Sequence, residues 1–249
     1  MGNNTIMLLR PMKKGDPTEY VYLWGSATAK LIKNLGYNLI DIQKDDVSYE
    51  NVSSALREYR PRVLISFSHG CPTSLVGQSE CVITRKFSLD ELLSMDNFLE
   101  IVQPLNYATG CKHACKLEVL SDICGPMCQY NTNVGLLRDT IVVAVACYSA
   151  SQLGRCAIKA GAVGYVGYDD LMLFPVDTMK SENIFRDVHL VFIKELLEGK
   201  SVAEAEIEMN LYENNMITLY KKTKYVSLPL LWNKIHRKVL GNKDARIFE

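Results

Sequence analysis

Two short segments carry residues that could do nucleophilic chemistry. The apolar run 62–67 (RVLISF) leads into Ser68-His69-Gly70, and the apolar run 141–146 (IVVAVA) leads into Cys147-Tyr148-Ser149. A cysteine attacks as its thiolate, and an isolated thiol of pKa about 8.5 is mostly protonated at neutral pH. A histidine can take that proton and return it to a leaving amine. The helix expected from about Ser149 would favour the Cys147 thiolate through its free N–H groups and dipole. Gly70, lacking a side chain, lets its N–H approach a substrate closely. The N–H groups of Gly70 and Cys147 could then hold a tetrahedral oxyanion. Taken singly, a cysteine after an apolar strand is usually a small buried hydrophobe. The joint placement of His69 and Cys147 at two strand ends is what favours catalysis.

A second cluster lies in residues 110–130, GCKHACKLEVLSDICGPMCQY. Cys111 and Cys115 form one C-x3-C pair, and Cys124 and Cys128 form another. Two such pairs suit a structural, tetrahedral zinc site. Two disulfides, an iron–sulfur cluster or free thiols are the alternatives. His113 reads as an exposed loop residue. Cys156 and His189 read as core residues, and His236 has no evident partner in the sequence.

The elements that must position these residues follow a regular rhythm. Strands are expected over 4–9, 38–42 and 62–67, with helices over 18–35 and 48–59 between them. Helix 18–35 carries an apolar face and ends at Gly36, and Pro61 closes helix 48–59. After residue 68 the rhythm breaks, with one helix expected over 87–102 amid polar, Gly-rich and Cys-rich stretches. It resumes with a strand over 141–146, a helix over 149–160, a strand over 163–166 and helices over 181–198 and 201–221. Ser201 with Glu204 forms a capping box for the last of these. A final strand region with a Gly241-Asn242 turn is expected over 237–248. Strands without polar alternation are those buried on both faces, so the fold class is α/β, a mostly parallel Rossmann-like sheet with helices on both faces. The simplest organisation is one domain over 1–249 with a Cys-rich inserted loop at about 104–135.

At this point the sequence resembles a known superfamily, the clan CD cysteine peptidases. This is the class of caspases, gingipains, clostripain, legumain, separase and CHAT domains. The segments that carry the resemblance are VLISFSHG and IVVAVACYSA, followed by Lys159-Ala160-Gly161-Ala162-Val163-Gly164-Tyr165-Val166-Gly167. The stretch from Val239 to Ala245 is similar to the closing strand of that class, but with Asn242 and Lys243 at two of its positions. The resemblance covers about residues 4–70 and 140–248. It implies a caspase-like fold and a cysteine endopeptidase acting on a polypeptide through the dyad His69 and Cys147, without a required cofactor. Asp169 and Asp170 follow the strand 163–166, where they could receive a basic substrate side chain, as in the clostripain and gingipain branches, or simply form a solvated turn. Specificity for aspartate would instead need converging arginines, for which Arg85 and Arg155 are available. The alternative reading is a catalytically inactive caspase-like scaffold or a Rossmann-like ligand-binding module. A dinucleotide site is disfavoured, because the loop 10–16 has no G-x-G-x-x-G.

Composition sets outer bounds. The chain has 249 residues, 48% of them apolar and 22% charged, with 28 basic and 28 acidic side chains. This is ordinary globular composition, and the balanced charge suggests no nucleic-acid partner. No run approaches the roughly 20 apolar residues of a membrane span. The run 6–9 is too short for a signal-peptide core, and Ile6 stands where a myristoylation signal has Ser or Thr. A cytoplasmic protein is expected, and the sequence leaves its oligomeric state open.

Overall fold

The computed structural model describes residues 4–72, 74–78, 81–84, 133–175 and 179–248. The expected helix over 87–102, and Cys111, Cys115, Cys124 and Cys128 with nearly all of the expected insertion, lie outside the described residues.

Among the described residues, six strands form the main sheet, in the order β2-β1-β3-β7-β8-β9. They are β1 (Thr5–Arg10), β2 (Asn38–Gln43), β3 (Val63–Phe67), β7 (Ile141–Val145), β8 (Gly164–Tyr168) and β9 (Arg237–Gly241). The first five run parallel and β9 closes one edge antiparallel. A small antiparallel sheet, β4 (His69–Cys71), β5 (Ser74–Val76) and β6 (Cys81–Thr84), grows out of the end of β3. The α/β, mostly parallel architecture is therefore the one expected.

The apolar strands serve both faces because successive side chains alternate. Ile6, Leu8, Ile65, Val143 and Val145 join one core with Trp24 of α1 (Thr18–Asn34), Phe185 and Phe192 of α4 (Met179–Leu197) and Met209 of α5 (Val202–Leu219). Met7, Leu9, Leu64, Val142 and Ala144 join the other, with Val52 and Leu56 of α2 (Tyr49–Tyr59) and Leu153 and Ala157 of α3 (Leu153–Lys159). The Ser201–Glu204 capping box starts α5, with both reciprocal bonds made.

Three features depart from expectation. The small β4–β6 sheet replaces irregular chain. A further helix, α6 (Lys224–His236), precedes β9, although it carries Pro229 in its interior, where proline is usually disfavoured. The helix after Cys147 begins only at Leu153, not near Ser149. Helix α5 is tied to β9 by a buried ion pair, Arg237 Nη2 to Glu213 Oε2 at 2.8 Å.

Candidate active site

Four neighbouring strands, β1, β3, β7 and β8, bring their carboxyl ends to one edge of the sheet. That edge is where open parallel sheets form their sites, beside the point at which the strand order reverses. Here the reversal falls between β1 and β3. His69 follows β3 and Cys147 follows β7, on hydrogen-bonded neighbours. Both line a single cleft of about 170 Å³ together with Pro17, Thr18, Val21, Ser68, Leu171, Met172, Leu173 and Phe174.

A third residue joins them. The loop after β1 delivers Asp16, whose Oδ1 lies 2.7 Å from His69 Nε2. The same oxygen accepts from the Thr18 N–H and from the Thr18 hydroxyl, each at 2.8 Å. Burial alone would raise the Asp16 carboxyl. The bonds from His69 and Thr18 outweigh it and hold the group at about 2. The carboxylate is therefore ionised and can only accept, so the imidazole proton sits on Nε2 and the lone pair on Nδ1. In the neutral imidazole the free lone pair is then on Nδ1, which could accept a proton, and an ionised partner would stabilise the resulting imidazolium.

Cys147 is half-buried. Burial pushes its thiol up. The N–H groups of Met172 and of Cys147 itself pull it down, and the nearby Asp170 charge adds to the rise. The Met172 N–H donates to Sγ at 3.3 Å. The helix-dipole argument fails here, because Tyr148 turns the chain into the left-handed region at φ 55° and α3 starts six residues after the cysteine. Such a backbone in a bulky residue is strained and persists only where its surroundings enforce it. Those surroundings are visible: the Tyr148 N–H donates to the Asp170 carbonyl at 3.0 Å. Ser149, fully buried, donates to the Ala146 carbonyl at 2.8 Å and accepts from the Tyr168 N–H at 3.3 Å. A side chain on Gly167 would strike this hydroxyl, with a Cβ only 2.5 Å away.

Gly70 packs against the same turn. A Cβ on it would come within 2.4 Å of the Cys147 carbonyl oxygen and 2.9 Å of the Ala146 Cβ. The close approach of His-Gly to Ala-Cys thus depends on the missing side chain.

Asp169 and Asp170 follow β8. Asp169 binds His236 Nδ1 at 2.9 Å and Lys238 Nζ at 3.1 Å, which gives His236 its partner. Asp170 caps the Leu171 N–H at 2.7 Å and hydrogen-bonds the Tyr148 hydroxyl. Neither lines the cleft. The segment 171–174 that does line it is held from α6. Asn233, buried, accepts from the Leu173 N–H at 2.8 Å and donates to its carbonyl at 2.7 Å, while Trp232 Nε1 donates to the Leu171 carbonyl at 2.9 Å.

Sequence reasoning missed Asp16, Met172, Ser149 and Asn233. Only Asp16 left a signal, an Asp-x-Thr step between an apolar strand and a helix. Among the described residues, no group of three or more His, Cys, Asp or Glu side chains is placed to hold a metal ion. None of the described helices is long and apolar enough to cross a membrane. The chain matches no family model and no curated protein.

Proposed function

We propose that this chain is a cysteine endopeptidase of the caspase-like kind, hydrolysing polypeptides through Cys147 and His69. The observation that carries the reading is the meeting of His69 and Cys147, from the ends of two neighbouring strands, in one cleft, with Asp16 bonded to His69 from behind. His69 Nδ1 takes the thiol proton as Sγ adds to the scissile carbonyl. The C–N bond then breaks, and the amine leaves with the proton returned from Nδ1. Water, deprotonated by the same nitrogen, hydrolyses the thioester and regenerates the thiol. The Gly70 and Cys147 N–H groups are the candidates to hold the oxyanion. No step calls for a cofactor, and zinc at the 111–128 cysteines would be structural. The cytoplasm, which keeps thiols reduced, is the compartment that suits such a nucleophile.

An inactive scaffold is the second reading, favoured by the burial that raises the Cys147 thiol. The test is a fluorogenic peptide panel run against the wild type and Cys147→Ala. Hydrolysis by the wild type is expected, with a loss of about 1,000-fold or more in the variant. Absence of turnover in the wild type, or equal turnover in both proteins, would refute the peptidase reading.

A further inference from the structure

We infer that the cleft beside Cys147 selects an apolar side chain of leucine, methionine or phenylalanine size on the residue that carries the scissile carbonyl. The inference rests on the peptidase reading and names its substrate class. In the acyl-enzyme that residue stays bonded to Sγ after the amine has gone, so its side chain must find room next to Sγ. The room available is the cleft of about 170 Å³.

Its walls are apolar. Pro17 and Val21 come from the start of α1, and Leu171, Met172, Leu173 and Phe174 from the segment after β8. The polar groups among the lining side chains are already engaged. The Thr18 hydroxyl donates to Asp16 and accepts from the Lys13 N–H, and the Ser68 and Ser66 hydroxyls share one hydrogen bond at 2.8 Å. His69 is held by Asp16. Among the described residues lining the cleft there is no carboxylate, lysine or arginine, and the adjacent Asp16 carboxylate is taken up by His69 and Thr18. A basic side chain entering it would leave water without a counter-charge, and an acidic one would do the same without a cation, both costly transfers. An apolar side chain gains by the area it removes from water.

The expectation of a basic side chain drew on Asp169 and Asp170. Asp169 is occupied by His236 and Lys238, and Asp170 by the Leu171 N–H and the Tyr148 hydroxyl. The Asn233 clamp fixes the wall that stands in their place, since it binds both backbone groups of Leu173.

The experiment is a panel of otherwise identical fluorogenic peptides bearing Leu, Met, Phe, Arg, Lys, Asn or Asp before the cleaved bond, assayed with the full chain. Wild type is expected to show kcat/KM at least about 30-fold higher for the best of Leu, Met and Phe than for any charged residue. The variant Leu173→Asp, at a side chain 37% exposed and therefore tolerant of charge, places a carboxylate in the wall. It is expected to lower cleavage after leucine and raise cleavage after arginine. Labelling of Cys147 by peptide aldehydes supplies a readout independent of turnover, with a leucine aldehyde protecting the thiol from alkylation at lower concentration than an arginine aldehyde. Cleavage that requires Cys147 but falls best after Arg, Lys, Asn or Asp would overturn this inference and leave the peptidase reading standing. Absence of any Cys147-dependent cleavage would overturn both.

Discussion

His69 and His189 are the same residue in two opposite settings. His69 stands at the open edge of the sheet, its Nε2 bonded to an ionised carboxylate. His189 lies buried in the core beneath Trp24, with ring centroids 5.7 Å apart. Its Nδ1–H donates to the Phe185 carbonyl at 2.7 Å, and its Nε2 accepts from the Tyr168 hydroxyl at 2.8 Å. Burial drives His189 down to about 4, and the nearby Arg237 charge acts in the same direction. A proton on Nε2 would turn its one acceptor into a donor facing a hydroxyl. Proximity of hydrogen-bonding oxygens is common to both histidines. What separates them is a counter-charge: an ionised carboxylate faces His69, whereas His189 meets only a carbonyl and a hydroxyl.

The contrast can be broken most directly through activity. His69→Ala is expected to lower kcat/KM by about 1,000-fold while unfolding at nearly the wild-type denaturant midpoint. His189→Gln should keep its turnover under conditions where it is folded. Peptide hydrolysis measured beside urea unfolding tests both, and equal loss of activity in the two variants would erase the distinction.

Asp16→Asn sharpens it. An amide can donate to Nε2 and so favour the tautomer with the proton on Nδ1, the wrong one for a base. The expected result is a fall in kcat of about 100-fold with KM little changed. An unaltered kcat would reduce Asp16 to a structural partner of Thr18.

The smallest effect is one of stability and pH. Folded His189 stays neutral down to about 4, whereas in the unfolded chain it protonates near 6.5. Between those values the unfolded state binds the extra proton, so stability falls as the pH drops through that window. The loss reaches about 3 kcal/mol, at about 1.4 kcal/mol for each pH unit between the two values. His189→Gln should cost about 1–3 kcal/mol at pH 7 through imperfect replacement of the two hydrogen bonds, and flatten this acid slope. Urea unfolding at pH 7, 5.5 and 4.5 gives both quantities, and an unchanged slope would assign the acid sensitivity to other groups.

The strands of the parallel sheet were legible because β1, β3 and β7 bury both faces and read as nearly continuous apolar runs, broken within β3 only by Ser66. The same runs ended visibly in His69 and Cys147. Residues 69–84 offered no such pattern, mixing Gly, Pro, Ser and Cys, and β4–β6 went unseen. Helix α6 was hidden by Pro229 and by apolar residues on its outer side, such as Leu228 and Ile235, which blur a helical stripe. The late start of α3 follows from the Ser149 hydroxyl bonding back to the Ala146 carbonyl, local competition that propensity does not register. Asp16 escaped because its partner lies 53 residues away, and the apolar cleft because its walls come from α1 and from chain beyond β8.

The Asn233 clamp also joins distant parts of the chain. Leu173 meets Asn233 across 60 residues of sequence, and Arg62 at the foot of β3 donates to the carbonyls of Arg246 and Ile247. A chain emerging from the ribosome presents His69 and Cys147 long before the segment that steadies their cleft. Contacts of such long separation close late, so this wall of the cleft is steadied only once α6 has been made. A chain cut short before α6 would carry the dyad residues without the support of Asn233 and Trp232.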